Sequence, residues 1–315
     1  MKVLFTSLFL FSALMLSAQQ QEHYTQFMYN KLALNAGYAG SADAACATII
    51  YRHQWTGLEG APKTQLLSFH TPLSNKRVGA GLNLVRNSIG ISETWTLDGA
   101  YAYRIRMGNG TLGLGLQGSI QYLGVDYTDP RLVGTQPLTS DEAITLAYQQ
   151  KFLPNFGLGV YFQSNSFFAG LSSPRLLKNN IDFSQTGTII SREEIHAYFM
   201  TGVLLNLSEK VQLQPQALLK YANNSPFDAD FNATLIFDKK YAAGLSYRVG
   251  GNQGSPGESL DILLNGQITD NLLIGFAYDL TLSDIRTYES GSIEALVRYC
   301  FGSSQGVDLV NPRFF

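Results

Sequence analysis

The side chains able to do chemistry are few and scattered. The four histidines are His23, His53, His70 and His196. No two stand at the i, i+4 spacing that puts a pair of imidazoles on one helix face for zinc. A hydrolase needs a nucleophile, a base and an orienting group within reach of one another, and no stretch carries that signature. His196 alternates with Glu194 and Tyr198 against Ile195, Ala197, Phe199 and Val203, which is a strand pattern with the histidine on its polar face. The run Gly110–Gly118, GTLGLGLQG, has glycines at dinucleotide-like spacing. No helical pattern follows it to offer an N-terminus to phosphate, and its glycines share one strand face. Cys46 and Cys300 are too few for a thiolate metal site. These residues therefore predict no catalytic group, no metal ligand and no cofactor.

The elements around them are β-strands in an exported chain. Of 315 residues only 15% are charged, with 22 Lys+Arg against 24 Asp+Glu, a net charge of -2 that offers no footprint for nucleic acid. Thirty glycines, 17 tyrosines and 19 phenylalanines suit a β protein with both wet and apolar surfaces. Met1–Ala18, MKVLFTSLFLFSALMLSA, reads as a secretory signal peptide cleaved between Ala18 and Gln19. No other apolar run of that kind follows.

Beyond residue 43 the hydrophobic period is two. In RVGAGLNLVRN (residues 77–87) Val78, Ala80, Leu82 and Leu84 share a face, and the same alternation recurs down the chain. It predicts about fourteen strands, near 44–54, 64–71, 77–87, 93–106, 110–124, 155–163, 166–172, 194–207, 210–221, 229–237, 240–248, 258–268, 271–280 and 291–301. Minimal links such as Ser164-Asn165, Ser208-Glu209, Asp238-Lys239 and Thr269-Asp270 alternate with longer ones at 55–63, 125–154, 173–193, 222–228, 249–257 and 281–290. Short turns at one end and long loops at the other are the mark of an outer-membrane barrel. Closure follows physically, because lipid cannot satisfy the unpaired edges of an open sheet. The fold expected is all-β: a transmembrane up-and-down antiparallel β-barrel. Its lumen face would carry Arg52, Asp98, Arg104, Asp261, Glu294 and Arg298 in an aqueous interior, while Trp95, Tyr101, Tyr103, Tyr247, Tyr278 and Tyr299 point outward toward lipid. Pro215, mid-strand, predicts a local distortion.

Four regions result: signal peptide 1–18, an N-terminal periplasmic or plug segment 19–43, the barrel 44–301, and a C-terminal tail 302–315. Cys46 starts the first strand and Cys300 ends the last, both facing inward. Barrel closure makes those strands neighbours, and a seam disulfide is the resulting hypothesis, requiring Cα atoms within roughly 7 Å.

Several stretches carry a resemblance. QFMYNKLALNAGYAG, YRHQWTGLEGAPKTQLLSFHTPL, VGAGLNL, WTLDGAYAYRI, PQALLKY and VRYCFG together resemble the PorP/SprF family of type IX secretion system membrane proteins. Asn35-Ala36-Gly37-Tyr38 departs from the family's Asn-Pro-Ala-Tyr, which predicts a looser turn before the first strand, since Pro fixes φ. The resemblance implies a non-enzymatic barrel in the cell outer membrane. Its partners would be a large secreted or surface protein with a C-terminal sorting domain, in some members a gliding-motility adhesin, and the periplasmic secretion components. The alternative is an outer-membrane porin or transporter for small solutes. The motif residues Arg52, Gln54, Trp55, Lys63, Thr64 and Gln65 flank the first outer loop. Two roles stay open for them: tying that loop into the barrel mouth, or contacting the secreted partner.

Overall fold

The structure is a computed structural model describing residues 22–73, 76–132, 148–183, 191–223, 225, 227–250 and 257–301. The predicted cleavage site at Ala18–Gln19 and the tail 302–315 lie outside the described residues. Fourteen antiparallel strands form a closed barrel. They are β1 (Ala45–His53), β2 (Lys63–Leu73), β3 (Val78–Ile89), β4 (Ser92–Met107), β5 (Gly110–Asp126), β6 (Tyr148–Ser164), β7 (Phe167–Ser173) and β8 (His196–Val203, continued by Leu205–Asn206). Then come β9 (Val211–Ala222), β10 (Asp228–Phe237), β11 (Tyr241–Val249), β12 (Ser259–Gln267), β13 (Leu272–Thr281) and β14 (Ser292–Phe301). Each strand pairs with the next, and β14 returns to β1 in a register running from Ala45↔Phe301 to His53↔Ile293. No described helix is long and apolar enough to cross a membrane.

Alternation sets the two faces. On β1, Ile49 and Tyr51 are exposed while Ile50 and Arg52 are buried. Trp95, Tyr101, Tyr103, Tyr247 and Tyr299 stand on the outer face, and Tyr278 is half-buried there. Exposed Leu, Ile and Phe side chains repeat around the wall, the surface a barrel needs in lipid. Short turns join alternate strand pairs. Asp238 and Lys239 both take positive φ, 48° and 54°, the signature of a type I′ hairpin turn. The opposite end holds the longer loops, apart from the tight Gly90-Ile91 link between β3 and β4.

Two strand readings change. β6 begins at Tyr148 rather than near 155, because Tyr148–Pro154 pairs residue for residue with Ile120–Asp126. Pro154, which lacks a donor and reads as a strand stop, instead sits opposite Ile120 inside the ladder. At Pro215 the distortion falls on the neighbouring strand. Pro215 keeps register with Ala233 on β10, but pairing toward β8 stops at Gly202 and resumes at Leu205. Leu204 there turns its N–H to the Ser166 carbonyl, 2.8 Å away.

Many inward residues are polar and line up laterally. Following the register gives one row across seven strands: Arg298, Thr48, Ser68, Asn83, Asp98, Ser119 and Asn155. All are buried, not bathed in an open aqueous interior. The cause is the stretch ahead of β1, which runs through the lumen.

Candidate functional site in the occupied lumen

Residues 22–43 carry no strand period. Phe27–Tyr29, Lys31–Ala33 and Ala36–Tyr38 form single 3₁₀ turns, separated by Asn30 and by Leu34-Asn35. Such short turns lack the length for a cooperative helix and hold only when packed. Here the packing is complete: Phe27, Met28, Leu32 and Tyr38 are nearly inaccessible and share one apolar cluster with Ile50, Tyr161, Phe168 and Met200 of the wall.

The lower part of this segment, toward the short turns, is seated on backbone. An added Cβ on Gly113 or Gly115 would lie 2.2 Å from Gly37, and one on Gly79 would lie 1.9 Å from the Ala39 carbonyl oxygen. Only glycine allows so close an approach. Asn35 completes the seat. Its Oδ1 accepts from the Gly37 N–H at 2.8 Å, and its Nδ2 donates to the Val160 carbonyl at 3.0 Å. Asn35 therefore fixes the Ala36–Tyr38 turn by hydrogen bonds although Ala36 replaces the expected proline, and the looser turn expected there is not seen. The Leu34 carbonyl accepts from Ser172 Oγ at 2.7 Å, and the Gly40 N–H donates to His70 Nδ1 at 3.3 Å.

Lys31 is fully buried, donates to the Met28 carbonyl at 3.0 Å and rests 4.2 Å above the Phe168 ring.

The upper part, toward the long loops, is clamped by charge. Glu294 accepts from the Thr25 N–H (2.9 Å) and the Gln26 N–H (2.8 Å). Thr25 Oγ1 donates to Asp279 and accepts from Arg52 Nη1 at 2.7 Å. Arg52 closes the cluster on Asp279 (2.6 Å) and Glu294 (3.3 Å). Beside it Arg248 and Lys220 pair with Asp230 at 2.6 and 2.8 Å. A buried pair of this kind is costly to break, because one partner is left charged and dry.

His23 lies at the rim, with ligand atoms of His23, Asp228 and Glu258 all within 4.8 Å of one another. Lys220 Nζ sits 2.8 Å from His23 Nδ1. That contact makes Nδ1 the acceptor and places the ring proton on Nε2, toward Asp228, at 3.5 Å. Both ring nitrogens are thus engaged by side chains, one of them by a lysine, so this group reads as an ion-pair rim. Burial, then Lys220 and Arg248, depress the His23 pKa.

The six motif residues divide. Arg52 joins the clamp. Gln54 and Thr64 face a mouth cavity of about 710 Å³ that Glu22 and His23 also line. Thr64 Oγ1 donates to Asn87 at 3.1 Å. Trp55 takes a positive φ of 51° and donates its N–H to Ser292 Oγ at 3.0 Å, tying the first loop to β14. Lys63 and Gln65 lie on the outer face. Among the predicted interior charges, Arg104 sits at the short-turn end, 2.8 Å from Asp43. Cys46 and Cys300 face one another in the closing register with Cα atoms 4.0 Å apart and are joined by a disulfide.

Sequence reading did not single out Thr25, Gln26, Asp230, Arg248 or Asp279. Strand parity places Asp279 inward like Asp261. Thr25 and Gln26 have no such signal, since their stretch lacks a period.

The sequence model of the family described as type IX secretion system membrane protein PorP/SprF matches residues 16–299. No curated protein matches the chain. Among solved structures it is similar to a Pseudomonas aeruginosa FadL homologue, with TM-score 0.48 and 12% identity over 85% of this chain and 94% of that one. It is also similar to the Acinetobacter baumannii outer membrane protein Omp33, with TM-score 0.45 and 10% identity over 82% and 99%.

Proposed function

The chain belongs to the PorP/SprF family of type IX secretion system membrane proteins, and from that premise we propose that it is a non-enzymatic docking barrel. It sits in the outer membrane. Family membership implies association with components of the secretion system. In this reading it helps export and anchor a large protein bearing a C-terminal sorting domain, such as an adhesin. The long-loop mouth meets that cargo, and the short-turn face meets the periplasmic machinery.

The observation that supports docking over conduction is the filled lumen. Residues 24–40 are buried almost without interruption between the walls, so solute has no wide path through the barrel. The motif residues fit the same reading. Arg52, Gln54, Trp55 and Thr64 shape the mouth and fix its first loop, which leaves the other long loops to make the grip.

The test is purification of the tagged chain from its native envelope in a gentle detergent, with every co-purifying chain identified. Docking predicts a stoichiometric sorting-domain protein, secretion components, or both. A barrel that repeatedly comes alone returns the reading to a small-solute porin.

A further inference from the structure

The lumenal segment has a direction. Gly40 lies against Gly79, Pro72 and His70 near the short turns. Thr25 lies against Arg52, Asp279 and Glu294 near the long loops, and His23 meets Asp228 and Lys220 at the rim. The chain thus enters at the long-loop mouth and descends through the barrel before β1 begins. Short turns lie on the periplasmic side of such barrels and long loops on the outer side.

The two halves are also held differently. The lower half rests on glycine backbones and a shared apolar cluster, a fit with no slack. The upper half, Glu22–Gln26, is held by hydrogen bonds and ion pairs, with Tyr24 its one side chain in the apolar cluster. Within it the buried Gln26 side chain has neither Nε2 nor Oε1 partnered among the described residues, which costs free energy in the docked position. Beside it lies the mouth cavity of about 710 Å³ that Glu22 and His23 line.

We propose that Glu22–Gln26 is an outward-facing, displaceable stopper, presented at the cell-surface mouth and hinged on a fixed base formed by Leu32–Gly40. The Arg52–Asp279–Glu294 clamp sets its docked fraction. An extracellular partner meets this end of the chain first and competes for the clamp. The proposal goes beyond the docking reading and does not depend on it, because it concerns the barrel without cargo.

The test uses single cysteines in the full-length chain and a membrane-impermeant maleimide on intact cells. The native cysteines are disulfide-bonded and give no background. Glu22→Cys is expected to label on intact cells, and Asp43→Cys only after the outer membrane is permeabilised. Gln26→Cys is expected to label slowly, and about tenfold or more faster once Arg52→Gln loosens the clamp. Leu32→Cys is expected to stay protected in both backgrounds. Glu22→Cys reacting only after permeabilisation would overturn the outward presentation. Arg52→Gln speeding Leu32→Cys as much as Gln26→Cys would overturn the fixed base, and no effect on Gln26→Cys would overturn the clamp. Cells carrying the chain with no cargo protein serve for all arms, so these outcomes stay separate from those of the envelope purification.

Discussion

Arg52 Nη2 lies 2.6 Å from Asp279 Oδ2, with both side chains 2% exposed. The strand carrying Glu294 runs between theirs, and Glu294 is Arg52's direct register partner. One guanidinium thus serves two carboxylates that also hold the lumenal segment, Glu294 through the Thr25 and Gln26 backbone N–H groups and Asp279 through the Thr25 hydroxyl. Arg52→Ala leaves Glu294 buried without its cation and Asp279 with only the more distant Arg248, at 3.9 Å. The expected cost is about 3–5 kcal/mol, read as earlier heat-unfolding of the detergent-solubilised barrel. Glu294→Gln combined with Asp279→Asn in the Arg52→Ala background is expected to recover most of it, since the uncompensated charge is then gone. Failure of that rescue would contradict the charge account.

The glycine seat makes a different prediction. Gly79→Ala puts a methyl group 1.9 Å from the Ala39 carbonyl oxygen, with backbone on both sides. Overpacking of this kind costs about 1–3 kcal/mol. The strand itself tolerates alanine, so the barrel is expected to form while the lumenal segment loosens. Protease cleavage within residues 22–43 of the folded, detergent-held protein checks this, with wild type resistant and the variant cut.

Lys31 tests the lumenal packing from the polar side. Its amine is fully buried with the Met28 carbonyl as its hydrogen-bond partner, and burying an amine costs free energy that a methionine of similar shape does not. Lys31→Met is expected to keep the barrel and raise its heat-unfolding temperature in detergent. A lower unfolding temperature for Lys31→Met would show that the amine stabilises the docked segment.

Cys46 and Cys300 staple the first strand to the last across 254 residues of chain. Alkylation of the unreduced protein is expected to modify neither thiol, and reduction to free both. Loss of the crosslink by Cys46→Ser is expected to cost about 2–4 kcal/mol, seen as a lower heat-unfolding temperature without loss of the barrel. Two freely alkylated cysteines in the unreduced protein would contradict the staple.

The barrel was legible because lipid on one side and a lumen on the other force period-two alternation. About fourteen strands follow from Val78, Ala80, Leu82 and their equivalents in the sequence alone. Prolines blurred the edges: Pro154 hid seven paired residues of β6, and Pro215 moved its disturbance onto Leu204 of the neighbouring strand. The lumen's contents were harder to read. Alternation says that Arg52 and Glu294 face inward, but it cannot say what meets them there. Thr25 and Gln26 come from a stretch with neither helical nor strand period, and their partners stand 269 and 268 residues away. Parity places Asp279 inward, yet only the barrel's curvature brings it to Arg52 across the intervening strand.

The most direct test of an occupied, docking barrel is the conductance of the purified full-length chain in a planar lipid bilayer. The account predicts no steady ohmic channel from the intact protein, and steady conductance once residues 22–42 are deleted. An intact chain that conducts steadily at rest would contradict the filled lumen, and with it the case for docking over solute transport.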